Sequence, residues 1–173
     1  RERVSGLEHP WSLAVLPDGD LLVTERPGRL RRISLARGTV SAPIAGLPGI
    51  YAEGQAGLLD VALSPDFMRD GLLYFAFAEP NLRGNLCGTT VARGRLDGTV
   101  LRDVRVIYRQ APKKSAGSHL GARLAFDGKG HLFITQGDHR VYPQAAQELG
   151  SLQGKIVRID PDGGTPSDNP FAD

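Results

Sequence analysis

Apolar and polar residues alternate in three stretches of the chain, and the three stretches share one layout. Residues 13–25, 61–79 and 124–138 each contain an alternating apolar strand, a turn rich in Pro, Asp or Gly, and a second strand rich in apolar and aromatic residues. Alternation with a period of two is typical of a strand with one buried face, and turn residues between two such strands indicate a hairpin. The pattern therefore predicts three similar β-hairpins.

A third short strand follows each hairpin. Segments 28–35, 90–97 and 154–163 combine alternating apolar residues with arginines, which places the arginines on one face of each strand. Sustained helical periodicity is absent from the sequence, and residues 142–152 are long enough for only one or two helical turns. The repeated unit thus contains at least three antiparallel strands, and the fold class is all-β.

Repetition of one sheet favours a β-propeller over a sandwich. Each propeller blade buries its faces against neighbouring blades, whereas a sandwich does not require the same strand pattern to repeat along the sequence. We therefore predict that residues 1–173 form a partial β-propeller domain of about three blades. Because closed propellers have roughly 4 to 8 blades, the first and last sheets would expose apolar faces. We expect the chain either to belong to a larger protein or to associate with a second copy.

Composition and charge narrow the class of function. The 173 residues are 40% hydrophobic and 23% charged, with a formal net charge of +2, which is ordinary for a globular domain. Basic residues form only short clusters, so a nucleic-acid partner is disfavoured. No stretch approaches the ~20 apolar residues that a membrane-spanning helix needs. Cys87 is the single cysteine, which excludes an internal disulfide and a thiolate metal cluster.

His119 is the main candidate for chemistry. It lies immediately before the third hairpin, in SHLGARLAFDGKGHLFITQGD (118–138), where a loop is held by a rigid sheet. An imidazole with a pKa near 6.5 is largely neutral at pH 7 and can act there as a general base. The alternative is a hydrogen-bonded loop histidine without a catalytic role.

Four motifs give the chain a resemblance to a known family. They are HPWSLAVLPDGDLLVTERPGRLRRI, GQAGLLDVALSPDF, the 118–138 segment and SLQGKIVRIDPDGGTPSDNPF, and they occur in this order over nearly the whole chain. Together they resemble the N-terminal half of the soluble, PQQ-dependent aldose sugar dehydrogenases of the glucose/sorbosone dehydrogenase family. The resemblance implies a six-bladed propeller that binds pyrroloquinoline quinone (PQQ) and calcium at the mouth of its central channel.

The same resemblance implies roles for individual residues. His119 falls at the position of the catalytic base, which takes the proton of the C1 hydroxyl of an aldose while hydride passes to the quinone. Gln55 matches a glutamine beside the cofactor, although capping of the following strand also explains it. Arg123 either orients a cofactor carboxylate or pairs with Asp127 on the rim.

The resemblance has further implications for partners and location. It implies an aldose substrate, an external electron acceptor and a periplasmic or secreted protein. Calcium ligands and further PQQ contacts are implied in blades that follow Asp173, and Ser118 stands where some relatives have an acidic or amide residue. The chain alone is therefore expected to lack much of the cofactor site.

The remaining candidates have simpler explanations. His9, His131 and His139 are interpreted as structural, and residues 160–170 as a turn rather than a calcium loop. Two alternative functions remain at this stage. One is a metal-dependent propeller lactonase, which the location of most acidic residues in turns disfavours, and the other is a non-catalytic propeller scaffold.

Overall fold

Three antiparallel β-sheets form the fold of residues 3–115, 117–141 and 143–170, the part of the chain that the computed structural model describes. The first sheet contains, in order, β1 (Pro10–Val15), β2 (Leu21–Glu25), β3 (Arg29–Ser34) and β4 (Thr39–Val40). The second contains β5 (Leu58–Leu63), β6 (Leu72–Pro80), β7 (Cys87–Asp97) and β8 (Val100–Arg109). The third contains β9 (Gly121–Phe126), β10 (Leu132–Gln136) and β11 (Ile156–Ile159), with β10 in the middle.

The three predicted hairpins are confirmed as β1–β2, β5–β6 and β9–β10. Turn residues close them by local hydrogen bonds. In the first turn the carboxylate of Asp18 accepts from the backbone N–H of Asp20 at 3.1 Å. In the third, the carboxylate of Asp127 accepts from the N–H groups of Lys129 and His131 at 2.7 and 3.0 Å. In these two turns the short polar side chain of aspartate therefore stabilises the reversal of the chain.

The structure adds elements that the repeated pattern did not predict. A single helical turn, α1 (Phe67–Asp70), lies inside the second hairpin and ends at Gly71, whose φ of 64° is left-handed. A 3₁₀ helix covers Pro143–Gln147, within the segment predicted to have the best helical tendency. Strands β4 and β8 extend the first two sheets to four strands.

Strand β6 explains why the middle sheet is buried on both faces. Tyr74, Ala76 and Ala78 belong to a core shared with the third sheet, where they join Leu124 and Ile134. The intervening side chains belong to a second core shared with the first sheet; they are Leu73, Phe75 and Phe77. Period-two alternation thus sends successive side chains of one strand into two different cores.

The three sheets meet along their first strands, because β5 contacts both β1 and β9. Asp60 of β5, only 2% exposed, connects all three. Its carboxylate accepts a hydrogen bond from the hydroxyl of Ser12 in β1, and it accepts from the N–H of Leu124 in β9 at 2.7 Å. It also binds the guanidinium of Arg123 at 3.0 Å. This buried carboxylate therefore fixes the relative positions of the sheets.

The outer sheets present apolar side chains to solvent. Leu13 and Val15 of β1 are 56% and 61% exposed, and Ile156 of β11 is 71% exposed. Within the described residues, no helix is long and apolar enough to cross a membrane. The all-β prediction is confirmed, and the outward apolar side chains agree with the expectation of uncovered sheet faces.

Candidate functional site

His119 lies where the loop before β9 packs against the loop before β5. The backbone N–H of His119 donates to Oε1 of Gln55 at 2.9 Å, and the backbone N–H of Gln55 donates to the carbonyl of Gly117 at 2.7 Å. A Cβ on Gly117 would lie 2.6 Å from the carbonyl oxygen of Glu53, so only glycine allows this approach of the two backbones. The structure thus brings together two of the three predicted site residues, His119 and Gln55.

The hydrogen bonds of the His119 ring define its tautomer. Nε2 lies 2.6 Å from Nε of Arg140, which donates its N–H to it, and Nδ1 lies 3.0 Å from Oδ1 of Asp138. Because a guanidinium can only donate, Nε2 must be the acceptor, and Nδ1 then carries the proton and donates to Asp138. The network therefore assigns the neutral tautomer of His119 that has its proton on Nδ1 and its electron pair on Nε2, where the pair accepts from Arg140.

The loop that carries Asp138 and Arg140 is pressed against the His119 backbone. The N–H of Gly137 donates to the carbonyl of Leu120 at 2.9 Å, and a Cβ on Gly137 would lie only 1.5 Å from the carbonyl oxygen of His119. His119, His139 and Arg140 all have positive φ, at 45°, 57° and 59°. Such conformations are unusual for residues with side chains and persist where the surroundings enforce them.

His139 supports this loop from inside the protein. It is fully buried, and its Nε2 lies 2.8 Å from Oε1 of Gln110. The amide nitrogen of Gln110 in turn donates to the carbonyl of Gly137 at 3.4 Å. The structural interpretation of His139 therefore fits its position, since its ring is buried and contacts Gln110.

Asp138 is ionised over a wide pH range. Its pKa is lowered from the ordinary value of 3.8, first by the hydrogen bond from the backbone N–H of Arg140 and then by the bond from the His119 ring. Its side chain is 26% exposed and that of His119 is 41% exposed. A stable carboxylate on Nδ1–H can orient the ring and stabilise an imidazolium if Nε2 accepts a proton.

Arg123 lies in a different environment from His119. Its guanidinium binds Asp60 at 3.0 Å and lies 5.3 Å from the ring centroid of Trp11. Among the described residues it donates to neither His119 nor Gln55. The predicted alternative of pairing with Asp127 is wrong, because Asp127 instead binds Nδ1 of His131 at 2.8 Å.

The other candidates behave as structural residues. Hydrogen bonds from His131 and Lys129 lower the pKa of Asp127 to about 2, although partial desolvation opposes this effect. Within 160–170, the N–H of Asp160 donates to the carbonyl of Gly164 at 2.8 Å, which confirms a turn. No group of three or more His, Cys, Asp or Glu side chains in the described ranges could hold a metal ion.

Asp138 and Arg140 are the residues of this site that the sequence reasoning did not identify. The strand register contains the missing signal. Gln136 of β10 pairs with Gly121 of β9. Asp138, two residues after Gln136, is therefore expected beside His119, two residues before Gly121. In an antiparallel hairpin the residue after the second strand faces the residue before the first.

Comparisons with known proteins identify the family of this chain. The sequence model of the glucose/sorbosone dehydrogenase family matches residues 7–173. Aldose sugar dehydrogenase YliI of Escherichia coli K12 is 47% identical over 168 residues, which cover 95% of this chain and 44% of that protein.

Solved structures show the same relationship. A crystal structure of a glucose dehydrogenase superposes with a TM-score of 0.90 at 51% identity, over 96% of this chain and 48% of that one. The PQQ-bound aldose sugar dehydrogenase of Streptomyces coelicolor superposes with a TM-score of 0.87 at 32% identity, over 99% of this chain and 50% of that one. The chain therefore spans about half the length of these relatives.

Proposed function

Because the chain belongs to the glucose/sorbosone dehydrogenase family, we propose that the protein containing it is a PQQ-dependent sugar dehydrogenase. It oxidises the C1 hydroxyl of an aldose to the lactone. The observation that carries this proposal is the His119 ring, whose Nδ1 contacts Asp138 and whose Nε2 carries the acceptor electron pair, at present engaged by Arg140. This is the form of histidine that a general base requires.

The polar groups around His119 are suited to PQQ, a planar quinone with three carboxylates. Oε1 of Gln55 is engaged by the His119 backbone, which leaves its amide group to donate to a quinone or carboxylate oxygen. Arg140 adds a guanidinium in the same place. The donor set of this half-site therefore fits an anionic, oxygen-rich ligand, and Gln55 is proposed as a cofactor-binding residue.

The chemistry of the chain itself is proton transfer. Nε2 of His119 accepts the proton of the C1 hydroxyl, while the hydrogen on C1 leaves as hydride and the C1–O bond becomes a carbonyl. Asp138 stabilises the imidazolium that results. Bound PQQ supplies the two-electron acceptor for the hydride. General-base assistance of this kind contributes ~10²- to 10⁴-fold in rate.

Several parts of the proposal concern the rest of the protein. We propose a six-bladed propeller of which the three sheets form part, and the exposed Leu13, Val15 and Ile156 support this because further blades would cover them. Calcium bound by residues outside this chain, an external electron acceptor and a periplasmic or secreted location belong to the same proposal. Participation of Arg123 in cofactor binding stays a prediction, since its guanidinium is bound to Asp60.

Reconstitution tests this function. The whole protein is incubated with PQQ and Ca²⁺, excess cofactor is removed, and oxidation of glucose and other aldoses is followed with a redox dye. We expect dye reduction that depends on PQQ and the formation of the aldonolactone. Hydrolysis of lactones without PQQ would instead favour the lactonase, and failure to retain PQQ or oxidise any aldose would favour the scaffold.

A further inference from the structure

Arg140 differs from most arginines of this chain in its partner. Arg29, Arg109 and Arg123 each bind a carboxylate, whereas Nε of Arg140 lies 2.6 Å from Nε2 of His119. No carboxylate in the described part of the chain pairs with the Arg140 guanidinium. A guanidinium is stabilised less by a neutral imidazole than by a carboxylate, because a hydrogen bond between two charged groups is stronger. A carboxylate would therefore bind Arg140 more strongly than His119 does.

The contact of Arg140 also blocks the nitrogen that a base must use. A neutral imidazole has one in-plane electron pair, on the nitrogen without the proton. Here that pair is on Nε2 and receives the N–H of Arg140, so a substrate hydroxyl cannot donate to Nε2 at the same time. The base is occupied as long as Arg140 stays where it is.

The backbone of Arg140 holds the side chain in reach of this position without fixing it there. Its N–H donates to Oδ1 of Asp138 at 3.0 Å, which anchors the main chain beside the ring. The side chain itself is exposed, and among the described residues the guanidinium has one hydrogen bond, the contact with His119. The guanidinium can therefore turn away while the loop and the Asp138–His119 pair stay in place.

We propose that Arg140 is a displaceable latch on His119. In the ligand-free protein it occupies Nε2, and a carboxylate-bearing ligand draws the guanidinium to itself and frees the base. This ligand, on the proposed function, is the quinone cofactor. A neutral sugar offers the guanidinium no charge, so the latch makes exposure of the base depend on prior binding of the anionic cofactor. Arg140 is therefore a positioning residue: it covers Nε2 of His119 before the cofactor binds and contacts the cofactor afterwards.

Chemical modification tests the latch without any cofactor. Diethyl pyrocarbonate transfers an ethoxyformyl group to unprotonated imidazole nitrogens, and the modified peptides can be quantified by mass spectrometry. In Arg140→Met the stem remains but the N–H donor is lost, and we expect His119 to react roughly 5-fold faster than in the wild type. His131 serves as the internal reference, and Arg109→Met is a matched control because Arg109 is an exposed arginine bound to Glu79. Equal rates for His119 in the Arg140→Met and wild-type proteins would overturn the latch.

Cofactor affinity tests what draws the latch away. PQQ binding is measured by equilibrium dialysis on the whole protein, with Ca²⁺ present. We expect Arg140→Met to weaken binding roughly 10-fold, with little change for Arg109→Met. Unchanged affinity would overturn the role of the cofactor in releasing Arg140. If the wild type binds no PQQ, the proposed function fails, whereas the modification rates still decide whether Arg140 covers the base.

Discussion

Asp60 and Asp138 each hold a basic side chain at the start of the third sheet, but they differ in burial. Asp60 is 2% exposed and accepts hydrogen bonds from Ser12, Arg123 and the backbone of two strands. Asp138 has a side chain that is 26% exposed, and it accepts at one oxygen from His119 and Arg140. The same carboxylate chemistry thus joins sheets where water is excluded and orients a reactive ring where a ligand can enter.

Removal of the buried carboxylate should have the largest effect. Asp60→Ala leaves the N–H of Leu124 and the hydroxyl of Ser12 without their acceptor, and we expect a loss of about 3–5 kcal/mol in the free energy of unfolding. Urea unfolding measures it. Arg123→Ala is the matched control, and because its side chain is 59% exposed we expect about 1 kcal/mol. Equal losses in the two variants would contradict a sheet-joining role for Asp60.

Substitution of His119, at the exposed site, should affect catalysis more than stability. His119→Ala should lower kcat of the PQQ-loaded protein at least ~10²-fold, because the hydroxyl proton loses its acceptor. The free energy of unfolding should change by less than about 1 kcal/mol. Steady-state kinetics with an aldose and urea unfolding measure the two quantities. Unchanged turnover would exclude His119 as the base.

The side chain of Gln55 has two proposed roles, as acceptor for the His119 backbone and as donor to the cofactor, and two substitutions separate them. Gln55→Ala removes the acceptor of the His119 backbone N–H and should cost about 1 kcal/mol in stability. Gln55→Glu keeps an acceptor oxygen but loses the amide donor, so it should retain stability while PQQ affinity falls. Thermal unfolding and equilibrium dialysis measure these effects. Equal destabilisation by both substitutions would show that the bond to His119 does not hold the loops together.

The smallest effect concerns pH. Because the pKa of Asp138 is lowered in the folded protein, its contribution to stability is present above the ordinary pKa of 3.8 and is lost as the pH falls through the lowered value. We expect the stability difference between wild type and Asp138→Asn to shrink as the pH is lowered from 5 towards about 2. Thermal unfolding across that range measures it. A difference that grows on acidification would contradict the assigned ionisation.

The sequence predicted the features that depend on local pattern. Alternation and turn residues were sufficient for the three hairpins, because a period of two and an Asp–Gly turn are properties of neighbouring residues. Strand β8 was not identified, since it has no full counterpart in the other sheets. The first sheet has only the short β4 at that place, and the described third sheet has no fourth strand.

Contacts between distant residues could not be predicted in the same way. Arg123 was considered with Asp127, which is near in sequence, whereas its actual partner Asp60 is 63 residues away. Sequence position gives no measure of such contacts. His119 was identified by its position before the third hairpin and given its role by the family resemblance, and Gln55 was identified through the resemblance alone. Their hydrogen bond across 64 residues is a finding of the structure.

The alternation of β6 between two cores has a consequence for folding cooperativity. Since Tyr74 and Phe75 are neighbours in the chain but belong to separate cores, neither core can open without disturbing the strand that the other requires. The middle sheet should therefore unfold as one unit with both neighbours. Amide hydrogen exchange would show this as protection of β6 equal to that of global unfolding, with faster exchange at the edge strand β4.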